Sequence, residues 1–205
     1  MRPAAEPPGL VHAFAAGLRF DGELSFLARL TFGRTAWRRL PTLEMSAQAS
    51  GRIALLQAEA LLTGREPTTQ AVRRAARADT PDLAPGDFLM RMPELAPELA
   101  ARWHQDQTLL HRSEPMCCPA LACLAGTEGK RWALVTGVEL EIGGKDVGKE
   151  TVPRALLLLD PIMPAPWVTG YNARLLLDQD RWQGLDGEVQ AAGLLGLIEL
   201  RHKAA

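Results

Sequence analysis

Two apolar runs on either side of a glycine-rich spacer constrain this chain more than any other feature. Residues 131–142 read Arg-Trp-Ala-Leu-Val-Thr-Gly-Val-Glu-Leu-Glu-Ile, and residues 152–159 read Val-Pro-Arg-Ala-Leu-Leu-Leu-Leu. Gly143, Gly144 and Gly148 lie between them, and Asp160-Pro161 ends the second run. Aliphatic and β-branched runs bounded by Gly and Pro read as strands, and the spacer folds the second back on the first as a hairpin.

The chain changes character near its middle. Residues 10–112 carry helical periodicity with many Ala, Leu and Arg, whereas 117–201 carry short apolar runs between glycine-rich turns. That division predicts an α+β fold in one domain spanning 10–205, with helices packed on a mainly antiparallel sheet. Residues 1–9, rich in Pro and Ala, are expected to form a flexible tail. Ile53, Leu55, Leu56, Ala60 and Leu61 make residues 51–62 apolar nearly all round, as in a buried central helix, with Gly64 as its stop. A second helix is expected over 71–78, capped by Thr68 or Thr69, and a third over 94–105. Further strands are expected at 120–124 and 194–200, with an irregular loop at 161–170.

With 205 residues, 47% hydrophobic content and 23% charge, the chain is globular and long enough to bury a substantial core. A formal net charge of -1 provides no electrostatic footprint for nucleic acid or anionic lipid. The local clusters Arg34/Arg38/Arg39 and Arg73/Arg74/Arg77 read as solvated helix faces. No stretch reaches the ~18 apolar residues of a membrane span. Residues 11–18 are too short and weakly apolar for a signal-peptide core.

Cys117, Cys118 and Cys123 crowd into one stretch. Three thiols so placed are no disulfide framework and suit a reducing, cytoplasmic setting. Neither His104 nor His111 completes a zinc spacing with them, so no metal or other cofactor is expected.

The order of these elements resembles the bacteriocin-processing, double-glycine leader peptidase-like branch of the papain-like cysteine peptidase superfamily. The resemblance spans about residues 44–162. It rests on Ser50-Gly51 opening the buried helix, Pro119-Ala120-Leu121, then Arg131-Trp132-Ala133-Leu134-Val135, then Asp160-Pro161. In that family a Cys-Gly pair opens the helix, a His begins the later strand and an Asp-Pro ends the next one. The resemblance implies a papain-like fold with Ser50 at the nucleophile position, Arg131 at the base position and Asp160 at the orienter position. Gln48 is a candidate oxyanion-hole residue, although it lies closer to Ser50 than the family's Gln lies to its Cys.

These departures matter chemically. A Ser hydroxyl requires a base to become a nucleophile, and a guanidinium stays charged at physiological pH. Ser50 and Arg131 are therefore no catalytic dyad, and no catalytic residue is assigned. Arg131 and Asp160 are expected to form a charge-assisted pair if their strands are neighbours. Each residue also has a plainer reading: Ser50 as a helix cap, Arg131 as a surface strand end, Asp160 as a turn beside Pro161. The expected function is a catalytically inactive peptidase-like domain that binds a peptide or protein in the vestigial cleft. Trp167, Tyr171, Asn172 and Arg174 are candidate binding residues on its rim. Two alternatives stand beside it: a cysteine hydrolase using Cys117 or Cys118 with His104 or His111, and a structural or accessory protein unrelated to peptidases.

Overall fold

The architecture comes from a computed structural model, which describes residues 9–14, 50–63, 67–76, 84–105, 119–127, 129–142, 151–163 and 171–203. Six strands form the body: β3 (Ala120–Gly126), β4 (Gly129–Ile142), β5 (Thr151–Leu159), β6 (Ala173–Leu176), β7 (Arg181–Gly184) and β8 (Val189–His202). Each hydrogen-bonds to the next in the ring β4-β3-β8-β7-β6-β5 and back to β4, so the sheet closes into an antiparallel barrel. β1 (Gly9–Phe14) is added to the far half of β4, and β2 (Leu99–His104) to the far half of β8.

Closure depends on the two long strands. β4 pairs through Gly129–Val135 with β3 and through Leu134–Ile142 with β5, so it passes the sheet from one neighbour to the other along its length. β8 pairs with β7 at its start and with β3 further on. Register slips in the β4–β5 and β3–β8 ladders mark bulges, which bend strands and steepen their twist. At the β4 bulge, the Thr136 hydroxyl donates to the Leu157 carbonyl at 3.3 Å. At the β8 irregularity stands Gly196, with φ +154°. A Cβ there would run into the Trp103 ring and lie 2.6 Å from the His104 carbonyl.

The closed sheet has an inside and an outside, and both are apolar. Ala133 and Val135 of β4, Leu156 and Leu158 of β5, Leu175, Trp182 and Leu197 fill the interior. The alternate residues Trp132 and Leu134, with Leu121, Cys123, Ile198 and Leu200, face outward beneath helices. Of the described helices, α1 (Ser50–Thr63) covers that face, α2 (Thr69–Ala76) packs on α1, and α3 (Pro85–Leu95) joins α1 on the sheet. α1 contributes Ala54, Leu55 and Ala58, while α3 contributes Phe88 and Met92. Phe88 stacks on Trp132 with centroids 4.8 Å apart. Burial on both faces explains why β3 reads Ala-Leu-Ala-Cys-Leu without a polar residue.

This architecture corrects the papain-like α+β expectation. The chain is mostly β, with a closed barrel where an open sheet beside a helical half was expected. Periodicity identifies strands but does not reveal that β3 and β8 complete a ring with β5, β6 and β7. β6 and β7, four residues each, gave no run long enough to read. The helix expected at 94–105 is instead the end of α3 followed by β2. Pro97 interrupts it, and pairing with β8 then captures Leu99–His104 as a strand. Other expectations are met: α1 is buried as expected, and Thr68 caps α2, accepting from the Ala71 amide at 3.1 Å. Gly64 and the glycines of the β4–β5 spacer lie outside the described residues.

A buried polar cluster at one end of the barrel

The interior parity of β4 and β5 carries two charged residues into one end of the barrel. Arg131 is two residues before Ala133, and Asp160 two after Leu158, so both face inward just where the apolar filling stops. Arg131 Nε lies 3.6 Å from Asp160 Oδ2; the arginine side chain is only 7% exposed and the aspartate not at all. The indole of Trp182, from β7, lies against both. Its Nε1 donates to Asp160 Oδ2 at 3.0 Å, and the Arg131 guanidinium carbon lies 4.6 Å from the ring centroid.

Asp160 is held from several sides. Its Oδ1 accepts from the Ile162 amide at 3.2 Å. Its own amide donates to Asn172 Oδ1 at 2.7 Å, and Asn172 Nδ2 donates to its carbonyl at 2.9 Å. The amide side chain thus continues the ladder where β5 has ended. Burial pushes the Asp160 carboxyl above its ordinary range, against the opposing pull of Arg131, the Ile162 amide and Trp182. Glu188, of like sign, adds to the rise.

Arg131 is less completely partnered. Nη1 donates to Gln190 Oε1 at 3.3 Å, a long bond, while Gln190 Nε2 is itself held by Glu188 Oε1 at 2.6 Å. Nε and Nη2 are buried and find no hydrogen-bond acceptor among the described residues. Buried N–H donors left this way cost free energy, about 1–3 kcal/mol each and more on charged groups.

Ser50 belongs to the same neighbourhood through the main chain. Its Oγ accepts from the Trp132 amide at 2.8 Å, beyond the last β4–β5 pair, Leu134 with Leu159. The bond ties the first residue of α1 to β4, one residue from Arg131. The structure thus pairs Arg131 with Asp160 and sets Ser50 against the main chain one residue from Arg131. The Ser50 hydroxyl oxygen accepts from an amide and Arg131 cannot accept a proton, so these two are no nucleophile and base.

The rim candidates are placed as follows. Asn172 is buried and engaged with the Asp160 main chain. Tyr171 is buried beside it, and burial pushes its hydroxyl above the ordinary range. Arg174 pairs with Glu139 on the outer side of the barrel wall, and its Nε has no acceptor among the described residues. Trp167, Gln48, Cys117, Cys118 and His111 lie outside the described residues. Cys123 is buried beneath the helical layer. His104 is buried, its Nε2 3.0 Å from Glu199 Oε2. Among the described residues no group of three or more His, Cys, Asp and Glu is placed to hold a metal ion. Nor is any described helix long and apolar enough to cross a membrane.

Trp182 and Gln190 escaped the sequence reading. Trp182 lies in a four-residue strand and carried no periodic signal. Only the β6–β7–β8 ladder brings it beneath Arg131.

The barrel also removes the grounds for describing the chain as peptidase-like, a member of the cysteine peptidase superfamily or a pseudoenzyme, because the papain-like fold those words require is not the one formed. Comparison with known proteins adds no other assignment: no family model, no curated protein and no solved structure matches the chain.

Proposed function

We propose that this chain is a binding domain that takes a polypeptide segment at the Arg131–Asp160 end of the barrel and performs no chemistry on it. The observation that carries this reading is the buried Arg131 guanidinium, with two N–H donors lacking a hydrogen-bond acceptor among the described residues. A ligand that brings an oxygen acceptor relieves that cost on binding. Asp160 at 3.6 Å and the nearby Glu188 would repel an added anion, so a neutral amide carbonyl suits the site better than a phosphate or carboxylate. Main-chain carbonyls are the acceptors every polypeptide offers. Nε and Nη2 are buried, so this end of the barrel must open before a carbonyl reaches them, and the long 3.3 Å bond from Nη1 to Gln190 is the contact most readily given up.

A phage-displayed peptide library panned on the purified chain tests this. Enriched peptides are expected to bind the parent protein, to lose binding to Arg131→Met, and to associate faster with Gln190→Ala, which keeps the guanidinium and removes its Gln190 partner. Circular dichroism of each variant separates lost binding from lost folding. Failure to enrich any sequence, or peptides indifferent to both substitutions in folded protein, overturns the proposal.

A further inference from the structure

We infer that the β7–β8 hairpin tip, residues 185–189, is the element that grips the partner, and that the gripped segment is a basic, apolar stretch of polypeptide. This rests on the polypeptide-binding reading above and specifies its ligand.

All five tip residues, Leu185, Asp186, Gly187, Glu188 and Val189, are exposed. Leu185 and Val189, at 49% and 50%, are two of the few large apolar side chains exposed among the described residues. They flank two carboxylates at the positions between them. Isolated exposed apolar residues are ordinary on a protein surface, but a pair on one preformed turn is a ready anchor.

The tip is already ordered. Gly187 adopts φ +92°, which favours glycine, and its amide donates to the Gly184 carbonyl at 3.1 Å. The Gly184 amide donates to the Glu188 carbonyl at 2.8 Å, and Asp186 Oδ1 accepts from the Glu188 amide at 3.0 Å. A turn fixed in this way gives up little further entropy when it docks.

Its position joins it to the buried site. Gln190, the residue after the tip, accepts from Arg131 Nη1 and donates to Glu188. A cation arriving at Glu188 competes with Gln190 for that carboxylate and so frees Gln190 to leave Arg131. A segment that puts Leu or Val side chains against Leu185 and Val189, a Lys or Arg between Asp186 and Glu188, and a carbonyl on Arg131 satisfies every group named. The carboxylates disfavour an acidic segment by the same reasoning.

The test measures binding of a fluorescein-labelled synthetic peptide of alternating Lys and Leu, with Glu/Leu and Ser/Leu peptides of equal length. The parent protein is expected to bind the Lys/Leu peptide best. Leu185→Ser/Val189→Ser should weaken it by about tenfold or more, as loss of an apolar anchor does. Asp186→Asn/Glu188→Gln keeps the hydrogen-bond acceptors and should weaken binding by about three- to tenfold, with a flatter salt dependence. Asp178→Asn/Asp180→Asn, of equal charge change at the other end of β7, should leave it unaltered. Loss of binding in that control as large as at the tip shows nonspecific attraction and overturns the inference. Library peptides that depend on Arg131 but bind both tip variants as well as the parent overturn it too, leaving the polypeptide reading intact. Binding that ignores Arg131→Met but falls with the tip variants overturns the Arg131 reading instead.

Discussion

Asn172 replaces a strand for Asp160: its side-chain oxygen accepts the Asp160 amide at 2.7 Å and its nitrogen donates to the Asp160 carbonyl at 2.9 Å. Asn172 therefore positions the residue that neutralises Arg131. Its own amide donates to the Leu158 carbonyl at 2.9 Å, which fixes its place relative to β5.

Asn172→Ala removes the partner of the buried Asp160 amide, leaves the Asp160 carbonyl to the Met163 amide at 3.2 Å, and is expected to cost about 1–3 kcal/mol. Asn172→Asp should cost a comparable amount, because a carboxylate oxygen would then face the Asp160 carbonyl. Urea unfolding measures both, and a loss below about 0.5 kcal/mol for Asn172→Ala contradicts the clamp.

Asp160→Asn costs one of the two acceptors that hold the Ile162 amide and the Trp182 indole and is expected to destabilise by about 1–3 kcal/mol, as for a lost buried hydrogen bond. Arg131→Met/Asp160→Asn should lose much less than the two single losses summed. Additive losses in the double-mutant cycle would mean that the 3.6 Å approach carries no coupling.

Gly196→Ala is expected to lose about 2 kcal/mol or more by overpacking. Trp103→Ala in the same chain should recover only part of the loss, since the His104 carbonyl, 2.6 Å from the added Cβ, is backbone and stays. Full recovery in thermal melts would place the whole clash on the indole.

Asp160 and Glu199 should shape the pH dependence of stability in opposite senses. Burial raises the Asp160 carboxyl, so its contribution is present below the ordinary carboxylate range and is lost as pH rises through the folded value. For Glu199, burial also acts to raise the carboxyl, but hydrogen bonds from Arg201 and His104 outweigh it and hold the group below its ordinary value. Its contribution is present above the ordinary range and is lost as pH falls through the folded value. Glu199→Gln is therefore expected to flatten the acid limb of a stability-against-pH curve and Asp160→Asn the limb on the other side. Unchanged limbs in both variants would refute the assignment.

Much of the site was legible locally. A hairpin over 131–159 puts Arg131 and Asp160 on adjoining strands, and their pairing follows from alternation and the antiparallel register. Ser50 was placed at the start of the buried helix by the small residues Ser50-Gly51 and the apolar run behind them. Its bond to the Trp132 amide was not legible, because it joins two segments whose spacing along the chain carries no local signal. Trp182 and Gln190 were invisible for the same reason, and they decide what surrounds the Arg131 guanidinium.

The sequence by itself determined the β4–β5 hairpin, the buried character of α1 and the carboxylate that ends β5, since each follows from steric and apolar preferences within a short window. Tertiary structure alone decided that the sheet closes. The β5–β6–β7–β8–β3 ladders depend on pairings whose free energy is realised only when distant strands meet, and on bulges that let β4 and β8 bend around a shared interior. Pairing with β8 likewise turned 99–104 from an expected helix into a strand, because a filled ladder outweighs a weak local propensity.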